Sequence, residues 1–304
     1  MPWSPHDLPH IIEKAHTTYQ HILHTYQTTP GFTQHPDYQW VTASCTRSID
    51  TLDSPDLHWI DTDVCELVAD TLETLPDWSP AACLPAQSGI IALEKPFFTV
   101  PYENAFADGI EQVRVSAISW HVHDGDLRIA TWATADSVPT HVRSPLRHGL
   151  PLEELAGVTM PMDEDVAAAQ VHLGASVITP TEDYTTAAKA MTAVAGAVWL
   201  LMAQPRILAD APTVARVRKR RGGQTYRAPV SVSIRSLTTR PQARPGAKGT
   251  GGKATTRWWV RGHWRQQAWG KNRALRKPVY IAPHTAGAQD TEVDQRPRVQ
   301  VIRK

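Results

Sequence analysis

The sequence predicts an α+β protein. Three observations point there: apolar residues at three- and four-residue steps near the start, a β-hairpin signal near the middle, and alternating β-rich runs in a strongly basic final third. The expected order is an acidic, helix-rich N-terminal part with a β-hairpin and a long core helix, followed by a basic antiparallel sheet of about four strands. With 304 residues and 41% hydrophobic content, the chain is long enough for about two domains on the ~150-residue norm. We place an acidic α+β domain at 1–205, a basic linker at 206–226 and a basic Trp/Arg-rich β subdomain at 227–304.

Each element has its own signal. Ile11, Ile12, Ala15, Tyr19, Ile22, Leu23 and Tyr26 trace one face of a helix from about Leu8 to Thr28, ended by Thr29-Pro30-Gly31. Val64, Leu67, Val68, Leu72 and Leu75 mark a second helix over Asp63–Leu75, stopped by Pro76. Gly89–Leu93 reads as a short buried strand. Val113–His123 and Leu127–Thr134 form a hairpin around Asp124-Gly125-Asp126, because Asp-Gly suits a type I′ turn. Residues 135–165 carry Pro, Asp and Glu without a period and read mostly as loop. Thr181, Glu182 and Asp183 offer a cap and first-turn carboxylates to a helix reaching about Ala203, closed by Gln204-Pro205. Its apolar stretch, Ala190–Ala203, is about 14 residues against the ~20 that span a bilayer, so it reads as a core helix.

Charge separates the two parts. Residues 1–210 hold nine Lys+Arg against 27 Asp+Glu, a net −18, and residues 211–304 hold 22 against three, a net +19. A basic block of that size attracts polyanions, and phosphate neutralisation supplies most non-specific nucleic-acid affinity. Within it, Arg216–Arg221 is a basic run before Gly222-Gly223, and residues 238–255 lack the apolar groups that would offset their ordering. Val230–Leu237, Thr256–Arg261, Pro278–Ala282 and Arg298–Ile302 are the strand-like runs.

Alternation sorts these runs by face. Val230, Val232 and Ile234, Trp258 and Val260, Val279 and Ile281, and Val299 and Val301 make one apolar face. Ser231, Ser233 and Arg235, Arg257, Trp259 and Arg261, Tyr280, and Arg298 and Gln300 make the other, joined by His263 and Arg265 if the extended path continues past Gly262. Arg pairs with phosphate and aromatic rings stack on bases, so Arg257, Trp259, Arg261, His263 and Arg265 are the expected nucleic-acid-binding set. Arg218, Lys219, Arg220 and Arg221 serve as a binding arm or as a solubilising linker. The bland alternative is a solvated Arg/Trp face with a few cation–π contacts.

A catalytic reading also exists. His263 as acid/base, Arg265 beside a scissile phosphate and His284 as partner are the parts of a metal-independent, toxin-like RNA-cleaving enzyme. The chain has no phosphate loop, dinucleotide fingerprint, nucleophile elbow or zincin motif, so no cofactor is expected. His121/His123 and His21/His24 are pairs without further ligands, so no metal is expected either. Cys45, Cys65 and Cys83 are odd in number and far apart, which points to a reducing, cytoplasmic setting. The N-terminus shows no basic region followed by an apolar run, so neither a signal peptide nor membrane association is expected.

The C-terminal box resembles that of a group of actinobacterial and actinophage proteins with no named function. A Trp strand leads into Gly-His-x-Arg-x-Gln over Trp258–Gln267. A Gly-containing loop follows over Gly270–Lys277, then a strand over Pro278–Ile281 and the Pro283-His284 corner. Leu84-Pro85, Ala117–Trp120 and Trp199–Pro205 look similar as well, whereas the usual Lys-Gly after the corner is replaced by Thr285-Ala286-Gly287. The resemblance implies a mobile-element setting and no activity. The favoured function is nucleic-acid binding in a phage or plasmid context. A protein partner, or self-association through the acidic and basic halves, is the third reading.

Overall fold

The computed structural model describes residues 3–36, 38–103, 110–139, 150–163, 166, 184–204, 206–214, 231–237, 257–260, 262–287 and 293–294. The chain divides into two compact units, Met1–Leu237 and Thr238–Lys304. In the first, α1 (Leu8–Thr28), α2 (Tyr38–Leu52), β1 (Asp56–Ile60), α3 (Thr62–Thr71), α4 (Pro80–Cys83), β2 (Ser88–Leu93), β3 (Thr99–Glu103) and β4 (Ile110–Arg114) come first. Next are β5 (Ala117–His123), β6 (Asp126–Thr134), β7 (Leu152–Pro161), α5 (Tyr184–Met202), β8 (Leu208–Val214) and β9 (Ser231–Leu237). The second unit holds β10 (Arg257–Val260), β11 (His263–Trp269), β12 (Leu275–Ile281), β13 (His284–Gly287) and β14 (Val293–Asp294). The α+β class holds.

A seven-stranded sheet, ordered β7-β6-β5-β2-β1-β9-β8, is the frame of the first unit. Strand β1 pairs in parallel with β2 and with β9, and the remaining neighbours are antiparallel. Helices cover both faces, which is why β1 and β2 are buried almost throughout rather than on alternate residues. On one face α1 presents Leu8, Ile12, Ala15, Tyr19, Ile22 and Tyr26 to a core with Trp59, Ile90, Ala117 and Trp132, and α2 adds Val41 and Cys45. On the other, α5 brings Trp199 edge-on against Trp120 and packs against α3. Over Thr185–Met202 the helix is long and apolar enough to cross a membrane by composition, yet 78% of that stretch is buried in the protein. It is a core helix, as its sequence suggests.

The hairpin turn is as expected. Asp124 (φ 51°) and Gly125 (φ 86°) both take positive φ, the type I′ requirement. The arm expected from Val113 breaks at Val115-Ser116, so Val113 and Arg114 belong to β4, which pairs with β3.

Three features differ from the sequence expectations. Helix α2 and strand β1 are additional elements. Residues 152–161, expected as loop, form β7 along the whole of β6. Its carboxylates are paired rather than solvated: Glu153 accepts from the Tyr102 hydroxyl, and Glu154 meets Arg128 and accepts from Ser48 Oγ at 2.7 Å. The backbone N–H of Glu154 also donates to Tyr19 Oη at 3.1 Å, so α1 and α2 are both tied to this edge strand.

The third difference is β9. Alternation finds the strand over Val230–Leu237 but assigns it to the basic C-terminal sheet, whereas it lies inside the first unit between β1 and β8. The reason is burial. Val232 is fully buried against the α1/α2 core, and Arg235 reaches Asp210 across the pair at 3.2 Å. The basic four-strand sheet is therefore, among the described residues, a β13-β10-β14 sheet and a separate β11–β12 hairpin. Arg298–Ile302, the last expected strand, lies outside the described residues.

Candidate nucleic-acid interface

The expected strand does not run on past Gly262: β10 ends at Val260, and a separate strand, β11, begins at His263 and pairs with β12. Residues 263–269 and 275–281 pair in regular antiparallel register, from His263 opposite Ile281 to Trp269 opposite Leu275. The turn between them places Gly270 (φ 77°), Asn272 (φ 55°) and Arg273 (φ 56°) at positive φ. Glycine and asparagine tolerate that region at low cost; arginine does not share their advantage.

Directly opposed residues in an antiparallel pair share a face. One face of this hairpin therefore carries His263, Arg265, Gln267 and Trp269 with Ile281, Val279, Lys277 and Leu275. The other carries Trp264, Gln266 and Ala268 with Tyr280, Pro278 and Arg276. This corrects the expected sorting: Tyr280 sits with Trp264, and Arg265 sits opposite Val279. Alternation fixes faces within one strand, but only the register, set by the turn, decides which faces of two strands coincide.

The Trp264 side anchors the hairpin. The Trp264 and Tyr280 rings meet edge-on at 5.4 Å, and Tyr280 is buried. A Cβ on residue 262 would lie 1.8 Å from Tyr280 Oη. Glycine is thus required there by close approach, which gives the Gly262-His263 step of the box a packing cause.

The opposite side and the tip are open. Arg265, Lys271, Arg273, Arg276 and Lys277 are all exposed. Residues 263–287 contain five Lys+Arg and no Asp or Glu. Lys277 Nζ lies 5.5 Å from the centroid of the Trp269 ring, a cation–π contact on a side chain that remains 47% exposed. Leu275 beside it is 52% exposed. An aromatic plane with a cation over it, in a segment (263–287) that contains no Asp or Glu, can stack a base and pair with the flanking phosphates.

Of the expected binding set, His263 and Arg265 lie on this open face two residues apart. Arg257 and Trp259 lie in β10, at the register positions opposite Gly287 and Thr285. Arg261, Arg218, Lys219, Arg220 and Arg221 are outside the described residues. His284 begins β13 opposite Val260, and its Nδ1 lies 3.1 Å from the Ala282 carbonyl oxygen. It is thus paired in a different sheet from His263. Sequence reasoning missed Trp269, Lys271, Arg273, Arg276 and Lys277. The signal was available in Gly270-Lys271-Asn272, a turn sequence between two extended runs.

His121 and His123 share a face, with rings 6.2 Å apart. Among the described residues no group of three or more His, Cys, Asp or Glu could hold a metal ion.

A family model described as "AcrVA2-like: Anti-CRISPR type V subtype A2 family" matches residues 58–285, well over half of the chain and inclusive of the whole β11–β12 hairpin. No curated protein matches.

Proposed function

We propose that this chain, which belongs to the AcrVA2-like anti-CRISPR family, counters a type V CRISPR system by binding nucleic acid through the β11–β12 hairpin. The observation that carries this reading is the open face and tip of that hairpin. The hairpin carries five exposed cations, of which Lys277 lies over the half-exposed Trp269, and residues 263–287 contain no carboxylate. Phosphate contacts would give most of the affinity and Trp269 a stacking platform worth ~1–3 kcal/mol per base. The phage-associated family supplies the setting, in which guide RNA and target DNA are the natural polyanions to test.

A second reading has its own observation. Trp269 and Leu275 are the most exposed large apolar side chains of the hairpin, and an aromatic anchor within a basic rim also fits an acidic patch on an effector protein. The experiment separates the two. An Arg265→Glu/Lys277→Glu double variant is compared with the wild-type chain for protection of a target plasmid from type V interference, and for retention of guide RNA or nuclease-treated effector protein. The nucleic-acid reading expects the variant to lose protection and RNA retention together. Retention of the nuclease-treated effector by wild type, with no RNA retained, would replace it by the protein reading.

A further inference from the structure

A second site lies in the first unit and is independent of the hairpin. A cavity of about 260 Å³ opens between Cys83-Leu84-Pro85 at the end of α4, Trp199, Met202 and Ala203 at the end of α5, and Arg235 on β9. Most of its lining residues are apolar, but polar atoms make up about half of the wall they present. The polar groups around it form a one-sided inventory. The Arg235 side chain is 15% exposed and, among the described residues, pairs with Asp210, whose carboxylate stays 45% exposed. Arg235 Nε is buried and makes no hydrogen bond among the described groups. The indole N–H of Trp199, fully buried, has no partner either, nor has that of Trp78, whose ring meets Trp199 edge-on at 5.6 Å.

These orphans are donors, and buried donors are normally satisfied. The nearby His58 also has both ring nitrogens without a partner among the described groups, one of them an acceptor in the neutral ring. Burial pushes its imidazole down to about 4, and the Arg235 guanidinium adds to the effect, so it is neutral at neutral pH. Cys83, on the cavity wall, is pushed up to about 12 by burial and remains a thiol. The site therefore offers the Arg235 guanidinium, paired on one side with Asp210, and unfilled N–H groups in a half-open pocket of mixed lining, with Cys83 as a thiol. The complement is a ligand that brings acceptor oxygens and negative charge on a short apolar body.

We infer that the Leu84–Trp199–Arg235 cavity binds a small organic anion, a carboxylate or phosphate monoester, whose charged oxygens pair with Arg235 while its apolar part packs on Trp199, Met202 and Leu84. The volume lies just below that of pockets for drug-sized molecules, which limits the body to about one ring.

The probes are benzoate and phenyl phosphate, with neutral benzamide as the shape-matched control. Binding to the full chain is followed by the indole N–H resonances in ¹H–¹⁵N spectra, with the Trp199 signal assigned by Trp199→Phe. The expected result is a saturable shift of the Trp199 signal at about 10 mM or below for at least one anion. Affinity should fall about tenfold or more in Arg235→Gln, and benzamide should give no saturable shift. The stronger of the two anions identifies the headgroup. Ala203→Phe, at an exposed rim position, should block the cavity without touching the core, so the test survives if Arg235→Gln does not fold. No saturable shift with either anion, equal binding by benzamide, or unchanged affinity in Ala203→Phe would overturn the proposal.

Discussion

His58 should make this protein sensitive to mild acid, by an amount the structure sets. The side chain is 6% exposed on β1, stacks on Trp120 with ring centroids 5.8 Å apart, and has no hydrogen-bond partner for either ring nitrogen among the described groups. Burial, and then Arg235, hold its pKa near 4 against an ordinary 6.5, while Asp56 and Asp210 oppose the shift. The unfolded chain takes up a proton below 6.5 that the folded chain refuses until about 4. Stability attributable to His58 is therefore intact above 6.5 and falls as pH drops through that window. At about 1.4 kcal/mol for each pH unit, the loss is about 2 kcal/mol by pH 5 and about 3 kcal/mol by pH 4. His58→Phe keeps a flat ring against Trp120 and removes the titration. Urea unfolding of both proteins, followed by tryptophan fluorescence from about pH 7 to pH 4, isolates the effect because carboxylate titrations common to both cancel in the difference. An identical fall in both proteins, or an imidazole midpoint near 6.5 by NMR, would refute the reasoning.

Other expectations follow from single contacts. Gly262→Ala drives a methyl into Tyr280 Oη and should destabilise the hairpin by about 1–3 kcal/mol, as overpacking does; circular dichroism melts of the variant, read beside tryptophan emission, would measure it. Glu154→Gln leaves Arg128, itself 16% exposed, without its carboxylate and weakens the tie to Ser48. A loss of about 3–5 kcal/mol in urea unfolding is expected, and a loss near zero would mean that the pair is already solvated. Trp269→Ala should weaken single-stranded binding by about 1–3 kcal/mol while leaving the salt dependence unchanged, since it removes stacking and no charge; fluorescence anisotropy separates the two. Cys83 should resist thiol reagents in the native state at neutral pH and react only on denaturation, because its thiol is buried and its pKa raised.

How far the sequence spoke depended on how each element hides its polar groups. Helix α1 is legible to the residue because its buried face is apolar at every step from Leu8 to Tyr26. Helix α2 is not, because Ser48 and Thr51 share its buried face with Val41 and Cys45, and their hydroxyls are satisfied by backbone carbonyls one turn earlier. Strand β7 reads as loop because Glu153 and Glu154 look solvent-bound until Tyr102, Ser48 and Arg128, distant in sequence, are brought to them. Strand β9 shows the limit of charge as evidence. Arg235 counts toward the basic block, yet it belongs to the acidic unit and pairs with Asp210. At the candidate interface, the sequence singles out His263 and Arg265 but not the tip cations, because the extended run is not followed through Gly270. The resemblance to actinophage proteins pointed to a phage setting, and the family match agrees with that setting while naming an anti-CRISPR role.

The most direct test of the central claim is the salt dependence of single-stranded RNA binding by the full chain, set beside an Arg265→Ala/Lys277→Ala variant. Five hairpin cations on five phosphates predict that log K falls against log salt with a slope of about −3.5, and that losing two of them flattens the slope by about 1.4. A wild-type slope near zero, or a variant with the same slope and affinity as wild type, would contradict binding through this hairpin.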